Sequence, residues 1–160
     1  MIDSFDSKLK LKDGRIDMED LIVKLKKYPY LSVCTDKFNS ECFITTIIIN
    51  EVFALKTNKY LFKIEMKGIS LEKSISNAYN ELIEILNYFI ENIDNYNYRI
   101  NYETNNNGEL RYDISFRLTY CNKVDIVYEA DSLKGKIEEN VQIVKSDLID
   151  KLKSMKESIS

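Results

Sequence analysis

Two neighbouring stretches of the chain alternate between apolar and polar residues, and this alternation constrains the fold more than any other sequence feature. The stretches cover residues 98–104 and 110–120, with Gly108 between them. A period of two is typical of β-strands that bury one face. The buried faces of two hairpin strands coincide only if the numbers of facing residues sum to an even number, and a three-residue loop with a left-handed glycine meets this condition. We therefore predict a hairpin with the facing pairs Tyr98–Phe116, Ile100–Ile114 and Glu103–Arg111.

Apolar periodicity and turn residues place the other elements along the chain. A helix with Asp17 as its cap is predicted over residues 17–28, because Pro29 stops it. The other predicted elements are strands over 31–35, 43–49, 60–67 and 124–128, a helix from Ser70 to about Asp94, and a helix that opens near Ser132.

The order of these elements predicts the fold class. Short connections make the strands antiparallel. We expect an α+β fold in the order helix, three strands, helix, three strands, helix, with the helices packed on one face and a long C-terminal helix. The strand over 43–49 is apolar at successive positions, which predicts a central strand covered on both faces. No linker rich in Pro, Gly or Ser interrupts the chain, so we expect a single domain over residues 1–160.

The last predicted helix carries an apolar stripe with an eleven-residue repeat. This repeat corresponds to about 3.67 residues per turn, so the stripe runs nearly straight along the helix. A straight stripe suits either packing within the chain or pairing with a second copy. Pairing is left open beyond Asp147, and the residues of this candidate dimer helix are Leu148, Leu152, Met155 and Ile159.

The composition removes most enzyme mechanisms. The chain of 160 residues has no histidine, which excludes Ser-His-Asp and Cys-His nucleophilic sites and the commonest catalytic zinc sites. Its 4 glycines are too far apart for a phosphate-binding loop. We therefore predict that the protein is not an enzyme and holds neither a cofactor nor a metal ion. The alternative left open is an enzyme that uses carboxylates and a divalent cation, although the acids placed for it lie among lysines: Glu138, Glu139, Asp147 and Asp150.

The sequence predicts neither secretion nor membrane insertion. The first residues are acidic where a secretory signal is basic, and the longest uncharged stretch, 42–50, is far shorter than the roughly 20 residues that span a bilayer. The 3 cysteines share no metal-binding spacing, which favours buried thiols in a reducing compartment. We expect a cytoplasmic protein, and the excess of Ile, Lys and Asn over Ala and Arg favours an AT-rich bacterial or phage genome.

The charge is most uneven on the middle helix. Residues 70–97 hold one lysine and five acids, whereas the whole chain has a net charge of −3. Four residues spaced by three or four positions fall on or beside the outward face and form the candidate partner-binding surface: Glu81, Glu84, Tyr88 and Glu91. Like charges one turn apart destabilise a helix slightly. We therefore interpret this stripe as a surface for a basic partner, with the tyrosine as its anchor, while the alternative is that the acids only keep the protein in solution.

Direct binding of nucleic acid is not expected from the sequence. Phosphate contacts need clustered positive charge. The arginines on the outer face of the predicted hairpin, Arg99, Arg111 and Arg117, are offset by Glu103 and Asp113. The alternation also places three tyrosines inside, where they cannot stack on bases: Tyr98, Tyr102 and Tyr112.

Three functional hypotheses follow. The first is a non-enzymatic, small acidic intracellular protein that inhibits or regulates another macromolecule, as an immunity protein, an antitoxin or an inhibitor encoded by a phage or mobile element would. Its partner would be a protein with a basic surface, such as a nucleic-acid-binding protein. The second is a homodimeric chaperone or structural module joined through the last helix; the element order resembles that of the small acidic chaperones of type III secretion, which dimerise, although this chain has an extra strand. The third is the carboxylate and divalent-cation enzyme.

Overall fold

The computed structural model describes residues 18–50, 60–122 and 124–160, and its elements follow the predicted order. The fold is α+β, with two three-stranded antiparallel sheets and a long C-terminal helix, as predicted. Asp17, the predicted cap of the first helix, lies outside the described residues. The helices are α1 (Met18–Lys26), α2 (Leu71–Glu91) and α3 (Ile137–Ile159), with a 3-10 helix (Ile93–Asn95) after α2. The strands are β1 (Leu31–Asn39), β2 (Cys42–Asn50), β3 (Tyr60–Gly68), β4 (Asn97–Thr104), β5 (Leu110–Tyr120) and β6 (Val124–Leu133).

The described elements divide between two compact units. The first unit contains α1, β1, β2, most of β3 and of α2, and the end of α3. The second contains the end of α2, strands β4 to β6 and most of α3. Each unit is therefore built around one of the sheets, and the single domain over residues 1–160 stays a prediction.

The first sheet has the strand order β1-β2-β3, so β2 is its central strand, as predicted. Thr45, Ile47 and Ile49 are buried, whereas the residues between them have intermediate exposure. Only one face of β2 is thus fully buried, and the prediction of full cover on both faces is wrong. The physical reason is that β-branched residues fit a half-covered strand as well as a fully covered one.

The second sheet has the order β4-β5-β6 and confirms the predicted register. The hairpin loop contains Gly108 at a φ of +77°, a conformation that an L side chain rarely adopts. The N–H of Asn105 donates to the carbonyl of Glu109 at 3.0 Å and closes the loop. The facing pairs are Tyr98–Phe116, Ile100–Ile114 and Glu103–Arg111.

Strand β6 and helix α3 meet differently from the prediction. β6 runs to Leu133 and α3 starts at Ile137, so the predicted helix start near Ser132 is wrong. A β-bulge lies at this end of the β5–β6 pair. Ser132 adopts a φ of +52°, and its N–H donates to a carboxylate oxygen of Asp113 at 2.9 Å. Left-handed backbone at Ser132 and at Gly135, whose φ is +100°, is incompatible with a right-handed helix, so the helix begins only after Gly135.

In the second unit the helices contact one face of the sheet. The ring of Tyr88 on α2 packs edge-on against Tyr120 of β5, with 5.2 Å between ring centroids. Tyr128 of β6 donates a hydrogen bond to Asp147 of α3. Residues of equal parity on paired antiparallel strands share a face, so both helices meet the even-numbered side chains. The odd-numbered side chains of β5 lie on the opposite face.

Candidate functional site

Helix α2, which carries the predicted partner-binding residues, begins where a glycine lets β3 end against it. A Cβ atom on Gly68 would lie 2.3 Å from the backbone nitrogen of Ser74, so only glycine fits there. Ser70 caps the helix, because its hydroxyl accepts a hydrogen bond from the N–H of Lys73 at 3.1 Å. The start of α2 is therefore set by local sequence and by this close approach.

A chain of hydroxyl groups joins the first turn of α2 to the first sheet. Ser74 donates to the carbonyl of Leu71 at 3.0 Å. A serine has one hydroxyl proton, so Ser74 must accept the 2.8 Å bond from Thr45, and Thr45 in turn accepts the 2.8 Å bond from Thr35. Thr45 and Ser74 have no exposed surface. These buried polar groups are satisfied internally and take no part in a site.

The four predicted partner-binding residues all lie on α2, and most of them are accessible. Glu84 and Glu91 are exposed, Tyr88 is 37% exposed, and Glu81 is half-buried. The opposite side of the helix supplies core residues, namely Ile75, Ala78, Tyr79, Leu82, Ile85, Leu86 and Phe89. The structure thus places the residues as the periodicity predicted, and their binding role stays a prediction.

The last turns of α2 are held by aromatic and hydrogen-bonded contacts. Tyr88 packs edge-on against Tyr120, as described above, and against Phe89. The hydroxyl of Tyr96 donates to the carbonyl of Phe89 at 2.8 Å, and burial raises the pKa of Tyr96 well above its ordinary value. These contacts fix the end of the helix, and so they fix the orientation of Tyr88.

One of the five acids counted in residues 70–97 is paired with a lysine in the structure, so the net negative charge near the end of α2 is smaller than that count suggests. Asp94, one of the five acids of that count, pairs with Lys145 at 2.9 Å. Glu91, by contrast, is exposed in the last turn, and α2 has no basic residue in that turn. The C-terminal end of a helix dipole is itself negative. The acidic surface that remains is therefore centred on the last two turns of α2.

The apolar stripe of α3 is covered by the chain itself. The residues of the candidate dimer helix have no exposed surface: Leu148, Leu152, Met155 and Ile159. A second copy would have to displace core contacts to reach them. Of the two interpretations of this stripe, the structure therefore agrees with packing within one chain. Homodimer formation stays a prediction.

Of the four acids that the enzyme hypothesis named, Asp147 is occupied by structural contacts, whereas the other three are exposed: Glu138, Glu139 and Asp150. Asp147 accepts hydrogen bonds from Tyr128 and from Lys151, whose Nζ lies 2.8 and 2.9 Å from its oxygens. Burial acts to raise the pKa of Asp147, but the bonds from Lys151 and Tyr128 outweigh it and lower the pKa below its ordinary value. Burial, together with the bond to Asp147, raises the pKa of Tyr128. The three side chains form a stable bridge between β6 and α3.

Asp113 also differs from its predicted place. The alternation pointed it outward, but it is only 8% exposed and bonds the N–H of Ser132 at the bulge. Asp113 is therefore a buried, hydrogen-bonded group of the fold and not an exposed charge of the outer face. Among the described residues, no group of three or more acidic or thiol side chains is placed to hold a metal ion.

The outer face of the β4–β5 hairpin contains a cavity that the sequence did not reveal. Its volume is about 440 Å³, and its lining residues are Asn97, Tyr98, Arg99, Ser115 and Arg117. The predicted register could have indicated this cluster of polar residues, because the shared parity puts four of them on one face: Asn97, Arg99, Ser115 and Arg117.

Two tyrosines of β4 are exposed, which corrects their predicted burial. Tyr98 is 53% exposed and Tyr102 is 60% exposed, whereas Tyr112 is buried as predicted. β4 is an edge strand of its sheet. Alternation tells which side chains share a face, but it does not tell whether another element covers that face along its whole length. The premise that these tyrosines are inside is therefore wrong.

The cysteines are free thiols in the structure, and their predicted burial is wrong. Cys34 and Cys121 are exposed, and Cys42 has intermediate exposure. Cys121 lies in the β5–β6 turn at a φ of +50°. A free cysteine resembles a small apolar residue in composition, so the spacing argument could exclude a disulfide framework without placing the thiols.

No protein-family model matches this chain, and no curated protein and no solved structure matches it. In the described part of the chain, no helix is both long enough and apolar enough to span a membrane.

Proposed function

We propose that the protein is a non-enzymatic binding protein that inhibits or regulates another macromolecule by contacting its basic surface with the acidic end of α2. The observation that carries the proposal is the exposed Glu91 in a last turn that has no basic residue. A negative side chain at the negative end of a helix dipole lowers helix stability. Folding therefore does not explain this residue, whereas attraction of a basic partner does.

Tyr88 supplies the apolar contact that such a surface needs. It is partly exposed, and its ring is held against Tyr120 and Phe89. A tyrosine that is already oriented loses little conformational entropy on binding, and aromatic anchors of this kind dominate many interfaces. Exposed Glu84, one turn earlier, extends the acidic stripe.

The structural roles of Asp113 and Asp147 also favour binding over catalysis. Asp113 holds the β-bulge, and Asp147 bridges β6 and α3. A general acid or base must be free to reach a substrate proton. The partner that fits the acidic stripe is a protein with a basic surface, such as a nucleic-acid-binding protein, and the mode of action is that of an immunity protein, an antitoxin or a phage- or mobile-element-encoded inhibitor in the cytoplasm.

The test is a charge reversal with a matched control. Glu91→Lys reverses the charge in the last turn of α2, and Glu157→Lys makes the same change at an exposed position in the last turn of α3. The wild-type chain is used to isolate its basic partner, and the purified partner is then titrated calorimetrically with each variant. We expect Glu91→Lys and Tyr88→Ala each to weaken binding by about tenfold, because one loses charge complementarity and the other loses the anchor.

Salt and the control variant make the result specific. Binding of the wild type should weaken as the salt concentration rises, since exposed charges are screened. Glu157→Lys should bind as the wild type does. Equal affinities for Glu91→Lys, Glu157→Lys and the wild type would show that the acidic end of α2 is not the binding surface.

A further inference from the structure

We propose that two copies of this chain pair through the β4 edge, which is the side of strand β4 that faces away from β5. β4 lies at the end of the strand order β4-β5-β6, and in the described part of the chain no strand pairs with its other side. Such an edge presents backbone N–H and C=O groups that another strand can bind. The β4 edge shares no residue with the acidic end of α2 or with the apolar stripe of α3, and the proposal does not depend on the proposed function.

The hydrogen bonds of the hairpin show which residues of β4 present their backbone groups at this edge. The N–H of Asn105 donates to the carbonyl of Glu109 across the hairpin loop at 3.0 Å. Hydrogen-bonded and non-hydrogen-bonded positions alternate in an antiparallel pair, so the odd-numbered residues of β4 direct their backbone groups at β5. The even-numbered residues direct theirs away from β5, and these are Tyr98, Ile100, Tyr102 and Thr104.

The β4 edge lacks the features that commonly keep strand edges from pairing. Natural edge strands are often interrupted by a β-bulge, a proline or a lysine. The edge strands β1 and β6 each pair through a register shift, whereas the β4–β5 pair is regular along all of β4. Residues 97–104 contain neither proline nor lysine, and all of them are exposed except Ile100, which is half-buried. The edge is therefore regular and accessible over 8 residues.

Backbone hydrogen bonding and charge together select one register for the pair. Two copies related by a two-fold axis run antiparallel here, and their even-numbered residues must face each other to exchange hydrogen bonds. When the axis passes Asn101, Arg99 of each copy faces Glu103 of the other. An axis one residue earlier or later keeps the backbone pairing but places Arg99 opposite an asparagine. Charge complementarity therefore favours the axis at Asn101.

The two charges of this register are available for a second copy. Arg99 and Glu103 are exposed, and within residues 18–50, 60–122 and 124–160 neither forms an ion pair. Arg111, which faces Glu103 across the hairpin, is bonded instead to Glu109 at 3.3 Å. A second copy satisfies both the positive and the negative charge of the edge. A uniformly basic or uniformly acidic strand from another protein would satisfy only one of them.

The exposed tyrosines of β4 gain cover in the same register. Tyr98 and Tyr102 are 53% and 60% exposed, and they lie on the opposite face of the strand from Arg99. In the pair, Tyr102 of each copy lies beside Ile100 of the other, and Tyr98 lies beside Thr104. Cross-strand contacts between aromatic and β-branched residues stabilise a sheet. The pairing therefore gives a role to two aromatic side chains that the single chain leaves exposed.

The first experiment measures self-association of the full chain by sedimentation equilibrium at low salt. One strand edge is a small interface, so we expect a dimer with a dissociation constant of about 10 µM. Arg99→Glu should weaken dimerisation by at least about tenfold, because it places like charges opposite each other at two symmetric positions. Adding Glu103→Arg to the same chain restores opposite charges and should return the dissociation constant to the wild-type value. Circular dichroism checks the folding of each variant.

A matched control separates this pairing from a general effect of charge. Arg117→Glu makes the same substitution at an exposed position of the same face, but on β5 and not on the β4 edge. It should dimerise as the wild type does.

A disulfide tests the register itself. In a chain whose natural cysteines are replaced by serine, Asn101→Cys faces its own copy at a non-hydrogen-bonded position, where Cα atoms lie about 4.5 Å apart. This separation suits a disulfide, so mild oxidation should give a covalent dimer. Asn97→Cys is exposed on the same strand, but in this register it lies about 26 Å from its copy and should stay uncrosslinked.

Four results would overturn the proposal. The first is a wild-type chain that stays monomeric at every concentration measured. The second is a dimer that Arg99→Glu leaves equally tight, which would place the contact elsewhere in the chain. The third is a folded double variant that dimerises as weakly as Arg99→Glu alone, which would contradict the pairing of Arg99 with Glu103. The fourth is equal crosslinking of Asn101→Cys and Asn97→Cys, which would indicate random collision of thiols.

Discussion

The two sheets have the same number and order of strands, but they use their polar side chains in opposite ways. In the first sheet, Thr45 of the central strand points into the core, where Ser74 and Thr35 satisfy its hydroxyl. In the second sheet, Arg99 and Arg117 line an open cavity and have no partner in the described part of the chain. The comparison shows that residue type alone does not mark a site. A polar group that is buried and bonded supports the fold, and one that is open and unbonded is available for a ligand.

The largest expected effect is a loss of stability at a glycine. Two glycines are compared, one required by close packing and the other by its backbone conformation. Gly68→Ala in the first unit should reduce the free energy of unfolding by about 3 kcal/mol, because the new Cβ would meet backbone atoms of Ser74. Gly108→Ala in the second unit has open space around it but a φ of +77°, so its cost should be about 1 kcal/mol. Urea denaturation at neutral pH measures both. If Gly108→Ala costs as much as Gly68→Ala, close packing of β3 against α2 is not the reason for the first glycine.

A smaller effect compares a serine from each sheet. Ser74→Ala should reduce the free energy of unfolding by about 2 kcal/mol, since Thr45 then keeps a buried donor without its acceptor. Ser115→Ala should change it by less than about 0.5 kcal/mol, because Ser115 lies at the cavity and not in the core. Thermal unfolding of both variants checks the contrast. Equal losses would mean that the two sheets do not differ in how they use hydroxyl groups.

The smallest expected effect is a loss of stability at alkaline pH. One buried tyrosine in each unit contributes to it. Burial raises the pKa of Tyr28 in the first unit to about 12 and that of Tyr96 in the second well above its ordinary value. In the unfolded chain tyrosine loses its proton near pH 10. The unfolded state then binds fewer protons than the folded state, so stability is complete below about pH 10 and falls as the pH rises through the folded pKa values.

Phenylalanine substitutions test this division. Tyr96→Phe should cost about 1 kcal/mol at neutral pH, because the bond to the Phe89 carbonyl is lost. The variant should also lose less stability than the wild type between pH 10 and 12, as should Tyr28→Phe, which is measured by urea denaturation at each pH. Parallel curves for the wild type and both variants would contradict the assignment of the alkaline effect to these two tyrosines.

The local pattern of the sequence predicted much of the fold because the relevant forces act over short distances. The β4–β5 register follows from parity and one left-handed glycine, and all three predicted facing pairs occur. The buried stripe of α2 follows from a period of 3.6 residues, and the exposure of Glu84 and Glu91 follows from the same pattern. In both cases the side chains concerned lie on one element or on strands joined by a short loop.

The errors arose where a distant element decides what covers a residue. Parity put Tyr98 and Tyr112 on one face, but only the structure shows that Tyr98 is exposed at the edge of the sheet and Tyr112 is buried. Likewise, Asp113 alternates outward in the sequence, but a β-bulge around Ser132 buries and occupies it.

The sequence by itself determined the order of elements, the hairpin register, the parity of each strand and the acidic stripe of α2. The tertiary structure alone decided which faces are covered, which carboxylates are occupied and where a cavity opens beside Arg99 and Arg117. The physical reason is that periodicity sets the direction of a side chain along its own backbone, whereas burial and electrostatic partners depend on residues that are far apart in the chain and meet only when it folds.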